Sequence, residues 1–277
     1  MTTDTVARSA GGAAVGALDV TRLDLRLRRR ATLGYAVGLA LYTLAVVAIY
    51  PSFKGDSSLD KLVQSDPTMM AAFGVTGSLT SPVGWLNANI FNNFLPVVAV
   101  IVAIGYGAWC VAGQDEAGAL APVAALPLTR RSLVAQKGVA LAAQLLPTMA
   151  LTLCCVLLGR FFQLDVGVGE LVTATCSIWL LGLGFGLLAL VVGVRTGSRG
   201  LAIGVSSAVA AAAYLISSFA STISWIRPAR FGSPFYWAVG ANPLGGGLGA
   251  GDLAALVGLP LVLLAAAVVA MRQADLH

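Results

Sequence analysis

Charged residues are scarce in this sequence: Asp, Glu, Lys and Arg make up 10% of its 277 residues. An ordinary soluble domain carries about 25%, and so few charges cannot cover the surface of a soluble protein. Hydrophobic residues make up 58% of the chain, and its mean hydropathy is +0.87. This composition excludes a cytosolic enzyme, a disordered protein and a nucleic-acid-binding module as leading classes. It predicts an all-α polytopic membrane protein.

Histidine and cysteine are also scarce, and each shortage removes a kind of site. The only histidine is the last residue, His277, so no histidine is available for a metal centre, a Ser-His-Asp triad or a Ser-His intramembrane protease. All four cysteines lie in apolar runs and are interpreted as small hydrophobic residues rather than a disulfide framework. The chain also has no Gly-x-x-x-x-Gly-Lys-Ser/Thr loop, which excludes ATP hydrolysis by that route.

What the chain does contain is long apolar stretches. A membrane-spanning helix needs about 20 mostly apolar residues, and six charge-free runs meet that length. They show none of the polar–apolar alternation that membrane barrels require. The predicted spans are Ala31–Tyr50, Leu86–Ala112, Gly138–Gly159, Leu171–Val194, Leu201–Ile226 and Leu253–Met271.

The start of the second span is open, because Asn87, Asn89, Asn92 and Asn93 lie at its beginning. Amides are costly in lipid, so these side chains either face protein or a wet cavity inside the span, or they lie in the headgroup region. In the second case the span begins near Phe94.

The distribution of basic residues predicts the orientation. With a cytoplasmic N-terminus, twelve of the 17 lysines and arginines fall on cytoplasmic segments and five on outer ones. We therefore predict a multi-pass protein of the inner (plasma) membrane with both termini in the cytoplasm. Residues 1–17 are expected to form a flexible tail, and residues 32–277 a six-helix transmembrane domain.

Two flanking segments carry amphipathic patterns. Residues 18–31 interleave leucines with arginines, which predicts an amphipathic interfacial helix with its arginines at lipid phosphates. Alternation at Leu23, Leu25 and Leu27 also fits a strand, and a simple basic stop before the first span would explain the arginines alone. Residues 225–251 are rich in aromatic residues and glycine, and predict a re-entrant segment in the outer leaflet, although an ordinary aromatic belt at the membrane interface would also account for most of this composition.

The segment between the second and third spans has features that a simple connector does not need. Residues 114–127 begin with Asp115 and Glu116, continue with small apolar residues and end at Pro127. Acidic residues suit a helix N-terminus, and the residue before a proline avoids helical angles. We predict a short helix lying flat beneath the membrane, with an apolar face for a cytoplasmic protein. Since no charged residue is expected deep in any span, the energy for transport would come from another subunit.

These residues resemble the six-span permease subunit of type-2 ATP-binding cassette (ABC) exporters. The family's signature after its second span appears as Asp115-Glu116, Gly118-Ala-Leu-Ala121 and Ala125-Leu-Pro-Leu-Thr-Arg130. Ser233-Pro-Phe235, Asn242-Pro-Leu244 and Arg272-Gln-Ala-Asp-Leu276 are similar to its later motifs. Ala121 replaces the family's second glutamate, and Pro122 interrupts the short helix.

The resemblance implies a mechanism and its partners. Two permease subunits pair, and each rests on a separate ATP-binding subunit that holds ATP and Mg. Membrane lipid is a further partner, nucleic acid is not, and this chain itself holds no cofactor and no metal. The short helix is the coupling helix seated on the ATPase, and its expected coupling residues are Gln114, Asp115, Glu116, Gly118, Leu120, Val123, Leu126, Pro127 and Arg130.

The charge-free spans suit a hydrophobic or amphipathic substrate, and we expect export of a small molecule such as a drug or antibiotic. Export of a lipid, a peptide or a polysaccharide is the alternative within the family. A secondary transporter with its own ion coupling, or a membrane scaffold, is the alternative outside it. The expected substrate-path residues are Asn89, Phe91, Asn93 and Thr148.

Overall fold

The computed structural model describes residues 18–55, 58, 61, 78–118, 129–220, 227–240 and 242–273, and these residues form helices and turns without strands. Six of the helices are long and apolar enough to cross a membrane, which confirms the predicted fold class. They are α1 (Asp19–Phe53), α2 (Pro82–Glu116), α3 (Arg130–Leu158), α4 (Val168–Thr196), α5 (Arg199–Phe219) and α6 (Ala250–Gln273).

Local sequence explains where several helices begin and end. The Ser81 hydroxyl accepts the Gly84 N–H at 3.1 Å, and Pro82 occupies the first turn of α2. Thr129 caps α3 in the same way, through the Ser132 N–H at 3.2 Å. Gly197 ends α4 with a φ of +63°, a left-handed conformation that glycine adopts without strain.

Helix α2 is not a regular α-helix along its whole length. Two π turns interrupt it, at Asn87–Phe91 and at Trp109–Gly113. Such turns widen a helix by one residue and are frequent at functional sites. Regular α-helix fills the stretch Phe94–Ala108 between them.

The helices differ in how deeply they lie in the bundle. In the most apolar stretch of α2, 67% of the residues are buried, and the same share is buried in α4. The corresponding share is 22% in α5 and in α6. Helix α4 packs against α2, α3, α5 and α6, and α1 packs mainly against α3. The centre of the bundle is therefore the α2–α4 pair, and α5 and α6 leave long apolar faces uncovered.

Small residues allow α2 and α4 to approach closely. Gly107 of α2 lies directly against the carbonyl oxygen of Gly186, and a Cβ on Gly186 would lie 3.0 Å from the Ala103 carbonyl oxygen. One turn away along α4, a Cβ on Gly182 would lie 3.4 Å from the Ala99 carbonyl oxygen. Close backbone approach through small residues is how helices associate in lipid, where burying apolar side chains supplies little driving force.

The ends of the helices differ from the predicted spans. The segment 18–31 is helical rather than extended, and it continues into the first span as one helix from Asp19 to Phe53. Its position at the membrane surface stays a prediction. Helix α5 ends at Phe219, earlier than the predicted limit at Ile226, and residues 1–17 lie outside the described part of the chain.

The predicted re-entrant segment, 225–251, is described in part. It contains a 3-10 helix at Arg227–Gly232 and a π turn at Tyr236–Gly240. Phe235 and Ala238 are buried against α4 and α5, and Ser233 donates a hydrogen bond to the Ala213 carbonyl at 2.7 Å. The segment thus packs into one end of the bundle, and its insertion into the outer leaflet stays a prediction.

Candidate functional site

A buried ion pair lies at the end of the bundle where α1, α3 and α5 begin and α2, α4 and α6 end. Asp24 of α1 is 1% exposed, and Lys137 of α3 is 0% exposed. The Lys137 Nζ donates to Asp24 Oδ1 at 3.0 Å and to Oδ2 at 2.9 Å. The other two ion pairs in the described residues, Asp19–Arg22 and Arg160–Asp165, are solvent-exposed and longer.

Two side chains of α2 complete what we call the Asp24–Lys137 network, which consists of Asp24, Lys137, Gln114 and Tyr106. Gln114 accepts from Lys137 Nζ at 2.9 Å and donates to Asp24 Oδ1 at 3.1 Å. The Tyr106 hydroxyl donates to Asp24 Oδ2 at 2.7 Å. The ammonium and carboxylate thus have the hydrogen bonds that buried charges require.

The sequence did not indicate this network. The predicted spans were defined as runs without charged residues, so Asp24 and Lys137 fell outside them. Helices α1 and α3 extend beyond those runs and include both residues. Replacing a buried ion pair with apolar residues is often neutral or stabilising, whereas removing one partner is costly. Stability alone therefore does not account for this pair.

Further hydrogen bonds hold α1 to its neighbours around the network. Gln136 of α3 accepts from the Val20 N–H at 3.1 Å through its side chain, and from the Thr21 hydroxyl at 2.9 Å through its carbonyl. The Arg28 guanidinium donates to the Gly105 carbonyl of α2 at 3.1 Å and lies 5.2 Å above the Trp109 ring. The first part of α1 is thereby fixed to both α2 and α3.

Several of the predicted coupling residues lie in or next to the network. Gln114, Asp115 and Glu116 belong to the last turn of α2, so the acidic pair ends a helix instead of beginning one. The Glu116 Oε1 accepts the Arg199 N–H at 2.8 Å. It therefore caps the N-terminus of α5, where a negative charge is favourable. Gly118 follows with a φ of +66°.

The described residues include only part of the predicted coupling helix. Leu120, Val123, Leu126 and Pro127 lie outside the described residues, and Arg130 is the first residue of α3. Segment 119–128 therefore runs between two anchored points. The end of α2 is tied to the network through Gln114, and the beginning of α3 is tied to it through Lys137.

A comparison with protein families assigns the whole bundle. A family model described as ABC-2 family transporter protein matches residues 18–276. The chain belongs to the ABC-2 transporter family. No curated protein matches the chain.

The ABC-2 assignment confirms the resemblance seen in the sequence. The chain is an ABC permease subunit, a transport component that is not itself catalytic, and members of this family normally work with a partner ATP-binding subunit. The match begins at residue 18 and so includes the part of α1 that carries Asp24. That part of α1 thus belongs to the family's domain.

The expected substrate-path residues of this ABC-2 permease lie at different depths. Asn89 and Asn93 are half-buried, whereas Phe91 is 2% exposed and Thr148 is 1% exposed. The Asn89 side-chain amide donates to the Trp85 carbonyl at 2.9 Å, and the Tyr214 hydroxyl donates to Asn93 Oδ1 at 3.2 Å, whereas the Tyr42 hydroxyl meets the backbone carbonyl of Asn89 at 3.1 Å. These contacts favour the first interpretation of the asparagines, in which their amides face protein.

The sequence did not indicate which residues would meet the asparagines of the permease. Asn87 is 2% exposed, and its Nδ2 donates to Asn242 Oδ1 at 2.9 Å. Asn242 lies in the motif Asn242-Pro-Leu244, and its φ of +51° places it in the left-handed region that asparagine tolerates better than most residues. The pair joins the beginning of α2 to the segment that precedes α6.

Proposed function

We propose that this ABC-2 permease exports a hydrophobic or amphipathic small molecule, such as a drug or antibiotic, with energy from ATP hydrolysed by a separate subunit. Two permease subunits and their ATP-binding subunits would form the working complex in the inner membrane, with both permease termini in the cytoplasm. The observation that carries the proposal is the family match across all six helices.

The charges of the described residues support an external source of energy. The buried charged side chains are Asp24 and Lys137, and each is bound by the other and by residues of α2. A proton-coupled carrier needs an ionisable group that can exchange its proton on the transport path. Asp24 and Lys137 instead hold α1, α2 and α3 together at one end of the bundle.

The position of segment 119–128 supports docking of the ATPase at this end of the bundle. The segment leaves α2 after the exposed residues 116–118 and enters α3 at the exposed Thr129. The residues on each side of the segment are bound to the network, which connects α1, α2 and α3. A force applied to the segment would therefore act on all three helices. Asp115 is the acidic residue we expect to face the partner, since Glu116 already caps α5.

The docking experiment compares two charge reversals. We would co-express the chain with an ABC-type ATP-binding subunit from the same organism and measure co-purification and ATP hydrolysis in lipid nanodiscs. Asp115→Arg combined with Leu120→Asp should abolish both. Asp165→Arg is the matched control, because Asp165 is 91% exposed at the opposite end of the bundle. If the double variant still binds and stimulates the ATPase, the docking assignment is wrong.

The outer half of the bundle supports an amphipathic substrate. Tyr42 stacks on Phe94 with ring centroids 4.1 Å apart, and Phe94 is 42% exposed. The half-buried Asn89 and Asn93 lie beside this pair and beside Tyr214, so one surface offers both aromatic rings and amides. Phe91 and Thr148 are enclosed in the single chain, and a path that they line would have to open between helices.

The transport experiment uses rhodamine 6G as a lipophilic probe in inside-out vesicles that contain the complex. We expect uptake that requires ATP, stops with vanadate and persists when a protonophore dissipates the proton gradient. Tyr214→Phe should change the apparent affinity for the probe, while Tyr35→Phe, on the exposed face of α1, should not. Uptake without ATP that a protonophore abolishes would instead indicate a secondary transporter.

A further inference from the structure

We infer that the Asp24–Lys137 network is a positioning element that joins α1 to the end of α2 and the beginning of α3, so that a displacement of these two helix ends is passed to α1. The inference rests on the proposed docking of an ATP-binding subunit at segment 119–128. It assigns to Asp24, Lys137, Gln114 and Tyr106 a role in energy coupling without contact with substrate or nucleotide.

The first step of the argument is the location of the four residues along the chain. Gln114 lies five residues before segment 119–128, and Lys137 lies nine residues after it. Both bind the same carboxylate, Asp24, at distances of 2.9–3.1 Å. The ends of the segment therefore share a single attachment point on a third helix.

The second step is the strength and direction of the attachment. Hydrogen bonds between charged, fully buried groups are short, directional and stronger than neutral ones. The Lys137 ammonium has three donors, and they are directed to two oxygens of Asp24 and one of Gln114. An apolar contact would let the helices slide past each other, whereas this network fixes their register.

The third step is the contrast with α5. Helix α5 also meets the end of α2, but through Glu116 and the exposed N–H of Arg199. No residue of α5 belongs to the network. Removing the network should therefore uncouple α1 from the segment and leave the response of α5 in place.

The structure suggests a variant that moves the carboxylate without removing it. Lys137 Nζ touches an oxygen of Gln114 as closely as it touches those of Asp24. In Asp24→Asn with Gln114→Glu, the lysine keeps an anionic partner, the new amide can donate to the new carboxylate, and Tyr106 keeps its acceptor. This double variant is the expected rescue of Asp24→Asn.

The first experiment measures hydrogen exchange of the chain alone in nanodiscs. Asp24→Asn should raise amide exchange by about tenfold at both 114–118 and 129–137, because an unpaired buried lysine opens its surroundings. The rescue variant should restore protection, and Asp165→Asn should change neither region. Faster exchange in α1 alone would overturn the inference, as would increases that the rescue variant does not reverse. If Asp24→Asn does not fold, Tyr106→Phe is used instead: it keeps the ion pair, removes one hydrogen bond to Asp24 and should raise exchange in the same two regions to a smaller extent, and no increase in either region would overturn the inference.

The second experiment measures the response to nucleotide in the complex with the ATP-binding subunit. Cys154 and Cys176, the exposed cysteines, are replaced with serine. An environment-sensitive fluorophore is then placed at Ile49 of α1 or at Leu215 of α5, each 50% exposed. Trapping with ATP and vanadate should change the signal at both positions in the wild type.

The expected result in Asp24→Asn is a loss of the α1 response, by about tenfold or more if the unpaired charge opens the network, with the α5 response retained. The rescue variant should recover the α1 response. A purely structural role would weaken both reporters together, and that outcome overturns the inference, as does an unchanged α1 response. If no ATP-binding subunit binds the wild type, the proposed function and the coupling role both fail, while the exchange result still stands.

Discussion

The close contact between α2 and α4 gives the sharpest test of the packing, through the substitution Gly107→Ala. A Cβ at position 107 would overlap the carbonyl oxygen of Gly186 and lie 3.2 Å from the Cβ of Ala189. The obstacle is backbone, which cannot rotate aside as a side chain can. The two central helices would have to move apart to accept one methyl group.

The size of the effect follows from two opposing terms. Alanine in place of glycine in a helix favours folding by about 1 kcal/mol. Overpacking costs about 1–3 kcal/mol, and here the upper part of that range applies because a helix pair must separate. The net loss is then about 2 kcal/mol. Since 1 kcal/mol corresponds to about 2–4 °C in a chain of this size, the melting temperature should fall by about 4–8 °C.

The assay is thermal unfolding in nanodiscs, followed by size-exclusion chromatography of the heated protein. Gly204→Ala in α5 is the control, because no atom of the described part of the chain lies within 4 Å of a Cβ there, and it should melt at or slightly above the wild-type temperature. Gly186→Ala should lie between the two, since its nearest obstacle is a movable Leu141 methyl at 2.7 Å. Equal melting temperatures for Gly107→Ala and Gly204→Ala would refute the close α2–α4 contact.

Three further substitutions test the site by the same thermal assay. Lys137→Met should lower stability by about 3–5 kcal/mol because it leaves the Asp24 carboxylate buried without a cation, and adding Asp24→Leu should recover most of the loss; failure to recover would contradict the ion-pair account. Glu116→Ala should cost about 1 kcal/mol through loss of the acceptor for the Arg199 N–H, and an unchanged melting temperature would show that this cap is absent. Thr148→Val should leave stability unchanged or raise it by about 1 kcal/mol, because the buried Thr148 hydroxyl has no hydrogen-bond partner among the described residues; a fall would show that the hydroxyl has one.

The number and order of the spanning helices could be predicted from the sequence, because a run of apolar residues long enough to cross a membrane has few other uses. The limits of the helices could not. A run of apolar residues ends at the first charged residue, whereas a helix continues for as long as its backbone hydrogen bonds form. The predicted interfacial helix and the first span are therefore one helix that begins at Asp19, and α3 begins at Arg130, eight residues before the predicted span at Gly138.

Sequence patterns could not predict which residues the polar side chains would bind. Four asparagines near the start of α2 signalled a need for hydrogen bonds, but nothing local specifies that Asn87 would meet Asn242 or that Asn93 would meet Tyr214. These contacts depend on how distant helices pack. A polar residue in an apolar run predicts that a partner exists, and the fold decides which residue it is.

One signal for the buried pair was nevertheless present. Asp24 is an acidic residue within a strongly basic segment, and a basic stop before a membrane span gives no reason for it. Lys137, by contrast, was counted among the twelve basic residues from which the cytoplasmic side was predicted. As half of a neutral buried pair, it contributes no net charge to a cytoplasmic surface. Without it the count is eleven against five, which leaves the prediction of the orientation unchanged. Lys137 is better understood as the partner that Asp24 required.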